Sequence, residues 1–258
     1  MKNKSEAFAC ILVLIVASLT SEVSRAAVVT YTGTGTGCVG HGSLTWDDSG
    51  GILSGSFVRG DGAPFTDDLV IYIDSISGGI NTTSGLRDAG DRFRKAVTGY
   101  NGSSKCTLNF ASGFNADYAI LLHPGAPSGG KLYALPTQGG VLTEIDSALH
   151  LSSSTDWTRD NQAKYDFWLS PASLGITGSV TFGFETDYAV DYYGATTKET
   201  LEHITGTAGW GGTLVFSDYH QFPQVNPIPE PTNVALAAFG FIAITTGFAR
   251  SIFRRTRA

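Results

Sequence analysis

Cysteine is scarce in this chain, with three residues among 258. Cys10 lies in an N-terminal apolar run, which leaves Cys38 and Cys106 in the main body. Neither has a second cysteine at CxxC spacing, which argues against a zinc or redox site. In an oxidising compartment this pair favours a Cys38–Cys106 disulfide, which would stabilise the fold by about 4 kcal/mol in the chain-entropy model. Two buried free thiols are the alternative.

The chain also lacks the short motifs of common catalytic and metal sites. It contains no HxH or HExxH pair, no GxSxG and no P-loop, so neither zinc nor nucleotide chemistry is indicated. We therefore expect a protein that is not an enzyme and has no obligatory cofactor. Its five histidines are scattered, at His41, His123, His150, His203 and His220.

Two carboxylate pairs keep a hydrolase open as an alternative. Glu144 with Asp146, and Glu185 with Asp187, are two residues apart, so strand alternation would place each pair on one face. Glycosidases use two such carboxyl groups, but they also need a deep cleft for the sugar.

Helical periodicity is rare, and methionine is absent beyond Met1. We predict one short helix around residues 88–97 and one helical turn at Pro171 to Leu174. The strongest strand is Asp68 to Asp74, whose continuous apolar run indicates burial on both faces; burial on one face with an aliphatic edge is the alternative. Roughly ten short strands with turn-rich spacing predict an all-β fold, a β-sandwich or jelly roll formed as a single domain by residues 27–222. Predicted strands are 28–34, 42–46, 53–58, 68–74, 107–110, 118–123, 131–135, 141–145, 165–169, 180–184 and 213–216.

The N-terminus has the pattern of a secretory signal peptide. Lys2 and Lys4 precede an apolar run from Ala7 to Leu19, and Ser24-Arg25-Ala26 matches a small-x-small cleavage site. We assign residues 1–26 to this signal; a retained N-terminal anchor is the alternative.

The C-terminus combines a Pro-rich linker, an apolar span and a basic end. Residues 223–231 form the predicted linker, and residues 232–249 carry no charge. As a helix, this span would be roughly 27 Å long, enough to cross the bilayer's hydrocarbon core. We predict a transmembrane helix at 232–249 and a cytoplasmic tail at 250–258, oriented by its arginines. These are Arg250, Arg254, Arg255 and Arg257.

This tail resembles the PEP-CTERM sorting signal. The family pattern is a Pro-Glu-Pro triplet, a hydrophobic span and a terminal basic cluster, and the triplet here is Pro229, Glu230 and Pro231. The resemblance implies a Gram-negative, exopolysaccharide-producing bacterium and recognition by exosortase. The protein would pass through the inner membrane, remain anchored there, and then reach the cell surface or extracellular matrix after processing. An ordinary C-terminal anchor is the alternative.

The body between the two ends is acidic. The ends account for seven of the 17 basic residues and three of the 23 acidic ones, which leaves 10 basic and 20 acidic residues, net −10. Such a body disfavours nucleic acid and anionic lipid. Calcium is a possible ligand, because Asp-rich loops supply the oxygens that it prefers. The candidate ligands around the strongest strand are Asp61, Asp67, Asp68 and Asp74, although these residues also fit plain turns.

Motifs in the body resemble extracellular β-sandwiches of the DOMON-like and carbohydrate-binding-module type. They occur in the order Phe57–Arg59, Asp67–Asp74, Ala116–Ala119 and Phe167–Gly175, so the resemblance covers residues 53–188. It implies a fold rather than an activity, and no ligand residues can be carried over.

Aromatic residues in loops of the second half are the candidates for sugar binding. Exposed rings stack on the apolar faces of sugars at little entropic cost. The alternative is that these rings cover one end of the sandwich. The sequence thus favours a non-catalytic structural or glycan-associated protein of the surface or matrix; a secreted polysaccharide hydrolase and a calcium-stiffened coat protein are the alternatives. The candidate rings are Trp157, Tyr188, Tyr192, Tyr193 and Trp210.

Overall fold

The computed structural model describes residues 27–61, 65–124, 130–145, 149–152, 164–190 and 194–225. These residues form an all-β protein with two short α-helices, α1 (Gly37–Gly40) and α2 (Arg92–Thr98). The strands are β1 (Val28–Thr32), β2 (Ser43–Asp47), β3 (Leu53–Val58), β4 (Asp68–Asp74), β5 (Thr107–Asn109), β6 (Tyr118–Leu122), β7 (Gly130–Ala134), β8 (Thr143–Glu144), β9 (Leu149–Ser152), β10 (Lys164–Leu169), β11 (Val180–Val190), β12 (Ala195–Thr196), β13 (Ile204–Gly206), β14 (Thr213–Phe216) and β15 (His220–Val225).

Three sheets make up the described fold. The outer sheet has five antiparallel strands in the order β1-β2-β3-β10-β9. The central sheet has the order β12-β11-β4-β6-β7-β8, with β15 also paired to β11. The small sheet has the order β13-β14-β5, and its β14–β5 pair is parallel.

The central sheet is covered on both faces, which gives the molecule two hydrophobic clusters. Along β4, Leu69, Ile71 and Ile73 belong to the cluster beneath the outer sheet. Val70 and Tyr72 belong to the second cluster, beneath α2 and the small sheet. The alternation of a strand sends successive side chains to opposite faces, so a strand apolar on both faces must lie between two layers. The prediction that Asp68–Asp74 is buried on both faces is confirmed.

Helix α2 begins at Arg92, later than predicted, because Asp88 stabilises a turn before the helix and Asp91 is the N-cap residue. Asp88 accepts the Gly90 N–H in a turn, and Asp91 caps the helix by accepting the Arg94 N–H. The helix ends at Gly99, whose positive φ of 67° suits a glycine. The helical turn at Pro171–Leu174 is confirmed as a 3-10 turn.

The C-terminal part of the body holds more strand than predicted. β11 continues to Val190, and β15 follows β14, so the sheet extends into the predicted linker, whose boundary at residue 223 was wrong. Pro223 is tolerated because β15 is an edge strand with a register shift against β11.

No helix in the described ranges is long and apolar enough to cross a membrane. The predicted signal peptide at 1–26, the Pro-Glu-Pro triplet, the span at 232–249 and the basic tail all lie outside the described residues.

Candidate functional site on the outer sheet

Strand β10 turns one tryptophan towards the outside of the outer sheet. Tyr165, Phe167 and Leu169 point inward and are buried, so alternation directs Trp168 outward, where it is 37 % exposed. Gly55 fixes this arrangement, because a Cβ at that position would overlap the Phe167 ring. Phe167 in turn packs edge-to-face on buried Trp46, with ring centroids 5.3 Å apart.

Short polar side chains surround Trp168 across four strands. Residues directly opposite in an antiparallel pair share a face, so Ser54 lies beside Trp168, and Ser56 lies beside Asp166. These residues define the Trp168 face, which spans three strand spacings, about 14 Å. Its members are Val28, Thr30, Thr45, Asp47, Ser54, Ser56, Asp166 and Trp168.

The chemistry of this face suits a sugar polymer. Trp168 offers a flat ring for stacking, while the hydroxyls of Thr30, Thr45 and Ser54 can each donate and accept hydrogen bonds. The Ser56 hydroxyl is buried and does not reach the surface. Thr30 and Thr45 are linked through their hydroxyls at 2.8 Å. On the same face, the Asp166 carboxylate forms an ion pair with Lys164 at 3.0 Å, which balances its negative charge.

The aromatic residues predicted to bind sugar do not form one site. Tyr188 is buried at 5 % exposure; its hydroxyl accepts the Thr66 and Asp67 N–H groups, and its ring stacks on Phe65. Tyr188 is therefore a core residue, and its assignment to glycan binding was wrong. Trp210 is 56 % exposed, in the β13–β14 turn of the small sheet. Trp157, Tyr192 and Tyr193 lie outside the described residues.

Trp168 was missed as a candidate although the sequence carried its signal. The alternation of Tyr165, Phe167 and Leu169 already places Trp168 on the opposite face of its strand. Sugar-binding rings can also lie on a strand, as Trp168 does, and not only in loops.

The structure does not bring the four predicted calcium ligands together. Asp68 and Asp74 stand at opposite ends of β4, about 20 Å apart along the strand. Buried Asp68 contacts His123 Nδ1 at 2.7 Å, whereas Asp74 accepts the Asn115 N–H. Asp61 is exposed and Asp67 is half-buried, in the stretch before β4. Within the described ranges, no group of three or more His, Cys, Asp or Glu side chains could hold a metal ion.

The predicted carboxylate pair on β11 shares a face, but that face is closed to a substrate. Glu185 and Asp187 are both 0 % exposed, and Glu202, at 1 %, lies near them. Burial raises the pKa of Glu185 to about 9 and that of Asp187 well above its ordinary value. Because no sugar reaches them, a glycosidase role for this pair is excluded in this conformation. In the other pair, Glu144 binds Lys131, and Asp146 lies outside the described residues.

The predicted disulfide is wrong, because both cysteines of the body are free. Cys38 belongs to the cluster beneath the outer sheet, where its thiol donates to Glu199 Oε2 at 3.3 Å. Cys106 immediately precedes β5 in the small sheet, where its thiol donates to the Gly209 carbonyl. The central sheet therefore lies between them, whereas a disulfide needs Cα atoms within about 7 Å. Burial, assisted by Glu199, raises the pKa of Cys38 to about 12, so this thiol is unreactive.

The fold and the Trp168 face define an all-β, β-sandwich-like protein with a polar aromatic surface. Comparison of the chain with protein-family models found no matching family, and comparisons with curated proteins and with solved structures found no match either.

Proposed function

We propose that this chain is an exported protein of the cell surface or exopolysaccharide matrix that binds polysaccharide through the Trp168 face and has no catalytic role. The body is a β-sandwich of the outer and central sheets, with the small sheet and α2 as an added third layer. The observation that carries the proposal is the exposed ring of Trp168 within a row of serine and threonine hydroxyls.

Sorting is the second half of the proposal and rests on the sequence at both ends. The signal at 1–26 directs export through the inner membrane, and the Pro-Glu-Pro triplet at Pro229–Pro231 is the element that exosortase would recognise. The span at 232–249 anchors the protein until processing. A surface destination agrees with an acidic body that is suited to polysaccharide rather than to nucleic acid.

Charge narrows the class of polysaccharide. The body carries a net charge of −10, and the Trp168 face contains Asp47 and Asp166, with Lys164 as the neighbouring cation in the part of the chain that the structure describes. A strongly anionic polymer would be repelled, whereas a neutral chain can stack on Trp168 without an electrostatic cost. A neutral polysaccharide is therefore the preferred ligand.

Affinity electrophoresis of the full-length protein in detergent, through gels containing neutral or acidic polysaccharides, tests the binding site. Trp168→Ala removes the stacking ring, so the affinity for the bound polysaccharide should fall about tenfold to a hundredfold. Trp210→Ala is the matched control, because it removes an exposed tryptophan from the third layer.

Three results would overturn the binding proposal. Wild-type protein that migrates alike in every gel has no affinity to explain. Loss of binding in Trp210→Ala but not in Trp168→Ala would move the site to the small sheet. Retention by acidic polymers alone would contradict the charge argument.

A further inference from the structure

The outer edge of β11 has a gap that a side chain fills. β15 pairs with residues 180–184 and β12 with residues 189–190, so Thr186 lies between the two partners. The carboxylate of Glu202 accepts the Thr186 N–H at 3.0 Å and the Thr186 hydroxyl at 2.7 Å. Thr186 Oγ1 accepts the Leu201 N–H at 2.8 Å, so the two residues are linked reciprocally. Glu202 thus takes the place of a missing strand.

This carboxyl group belongs to a buried cluster that contains little compensating charge. Glu185 Oε2, Glu202 Oε1 and both carboxyl oxygens of Asp187 find no hydrogen-bond partner among the described residues. Glu185 Oε1 accepts one bond, from the Ala111 N–H at 2.9 Å. An ionised carboxylate in such a dry site is strongly destabilised, so the cluster folds with protonated acids.

The titratable groups that face the cluster from β4 and from the stretch before β15 are acidic or neutral. β4 contributes Tyr72 and Asp74, and the Tyr72 hydroxyl donates to the Val97 carbonyl of α2 rather than to the acids. Asp218 stands before β15 and acts on both Glu185 and Glu202. Two histidines stand nearby: His203, next to Glu202 in the chain, pairs with Asp218 at 3.0 Å, and His220 lies beside Glu202.

His220 supplies little compensation. Its Nε2 is 3.7 Å from Glu202 Oε1, too far for a hydrogen bond, and that nitrogen has no partner among the described residues. Burial lowers the pKa of His220, although Asp218 opposes the shift, so the imidazole is neutral at neutral pH.

We propose that Glu202 is a pH-operated latch, which in its protonated form holds the segment of residues 197–203 against Thr186 of β11 and loosens it when Glu202 and its buried neighbours Glu185 and Asp187 ionise at alkaline pH. The segment's other bonds to the strand are few. The Tyr188 N–H donates to the Glu199 carbonyl, and the Thr197 N–H donates to the Tyr188 carbonyl. Among the described residues, losing the Glu202 contacts would remove two of the five hydrogen bonds that join the segment to β11, while buried Leu201 still anchors it in the core.

The direction of the pH effect follows from the raised pKa values. Burial raises the pKa of Glu185 to about 9 and that of Glu202 to about 8, from the value of 4.5 that each has when exposed. A raised pKa means that the folded state binds more protons, so the added stability is complete below about pH 4.5 and is lost as the pH rises through 8 to 9. Between about pH 4.5 and its pKa in the folded protein, each carboxyl group increases the unfolding constant by up to about tenfold per pH unit.

Hydrogen exchange of the full-length protein between pH 5 and pH 9, corrected for the intrinsic rate at each pH, measures release of the segment. We expect the Thr186 and Leu201 amides to lose protection by pH 9 while the β4 amides keep theirs. Thermal unfolding over the same range should show a falling midpoint in the wild type and a smaller fall in Glu202→Gln. The glutamine is neutral and still offers an acceptor oxygen to Thr186.

Asp187→Asn is a second variant, which keeps the proposal testable if Glu202→Gln does not fold. The unfolding midpoint of Asp187→Asn should also fall less between pH 5 and pH 9 than that of the wild type. Glu144→Gln is the control, because Glu144 is only half-buried and binds Lys131; its profile should follow the wild type. A wild-type midpoint that is constant or rises from pH 5 to pH 9 would overturn the proposal. Equal loss of protection in β4 and at Thr186 would replace local release by global unfolding and would also overturn it.

Discussion

At the scale of single residues, the hydrogen-bond donors around a buried carboxyl group decide its charge. Asp88 is 5 % exposed and accepts the N–H groups of Gly90 and Leu142 and the Arg94 guanidinium. Burial alone would raise the pKa of Asp88, but these donors together hold it below its ordinary value. Asp187 has no such donors in the described part of the chain, and burial raises its pKa. Asp88 is therefore an anion that ties α2 to residue 142, whereas Asp187 is a neutral acid.

Asp88→Ala tests this structural role. The change leaves the buried Leu142 N–H without its acceptor and removes one of the acceptors of the Arg94 guanidinium, which keeps the Leu142 carbonyl and Asp91, so the free energy of unfolding should fall by about 2–3 kcal/mol. Urea unfolding of the full-length protein measures the loss. Asp166→Ala serves as the comparison, because the pair of Asp166 with Lys164 is exposed and should change stability by less than about 1 kcal/mol. Similar losses in both variants would show that the buried donors do not matter.

At the scale of single strands, the position of Trp168 depends on a glycine on the neighbouring strand. Gly55 stands opposite Phe167 in the β3–β10 register and leaves room for that ring beneath the outer sheet. If Phe167 could not enter the core, β10 would lose its inward anchor. The outward direction of Trp168 would then be less firmly set.

Gly55→Ala should destabilise the protein by about 1–3 kcal/mol, because the added methyl group overlaps the Phe167 ring in a packed core. Ser54→Ala is the matched control one residue away, on the outward face, where a hydroxyl is lost without a steric conflict. Thermal unfolding of the two variants compares them. A Gly55→Ala protein as stable as Ser54→Ala would contradict the packing described for Phe167.

Strands with a strong local signal could be predicted from the sequence, whereas those that depend on distant partners could not. The apolar run of β4 and the alternation of β10 are local, and both strands lie where their patterns predict. β15 contains Pro223 and two glutamines, so its strand character comes from pairing with β11 rather than from its own residues. The two-residue strand β12 depends on β11 in the same way.

The candidate site was only partly predictable for a related reason. Exposure of an aromatic ring depends on which layer covers it, and this is a property of the whole fold. Tyr188 stands on the face of β11 that meets the outer sheet, so it is buried, whereas Trp168 lies on the opposite face of the outer sheet and is 37 % exposed. The convergence of Glu202 on Thr186, across 16 residues, has no pattern in the sequence that would indicate it.

At the scale of the whole molecule, the central sheet separates two chemically different sides. The outer sheet carries the Trp168 face, and the far side carries α2, the small sheet and the exposed Trp210. Cys38 and Cys106 fall on opposite sides of this division, which explains why the disulfide expected from their number does not form. The same division separates the proposed polysaccharide site from the small sheet, so a ligand bound at one should leave the other unchanged.

Amide hydrogen exchange of the full-length protein, with and without a polysaccharide that it retains, tests the central claim most directly. The account predicts slower exchange at Ser54–Ser56 and Asp166–Trp168, with no change in the turn that carries Trp210. Protection confined to that turn, or the absence of any protection on the outer sheet at a saturating concentration of polysaccharide, would contradict it.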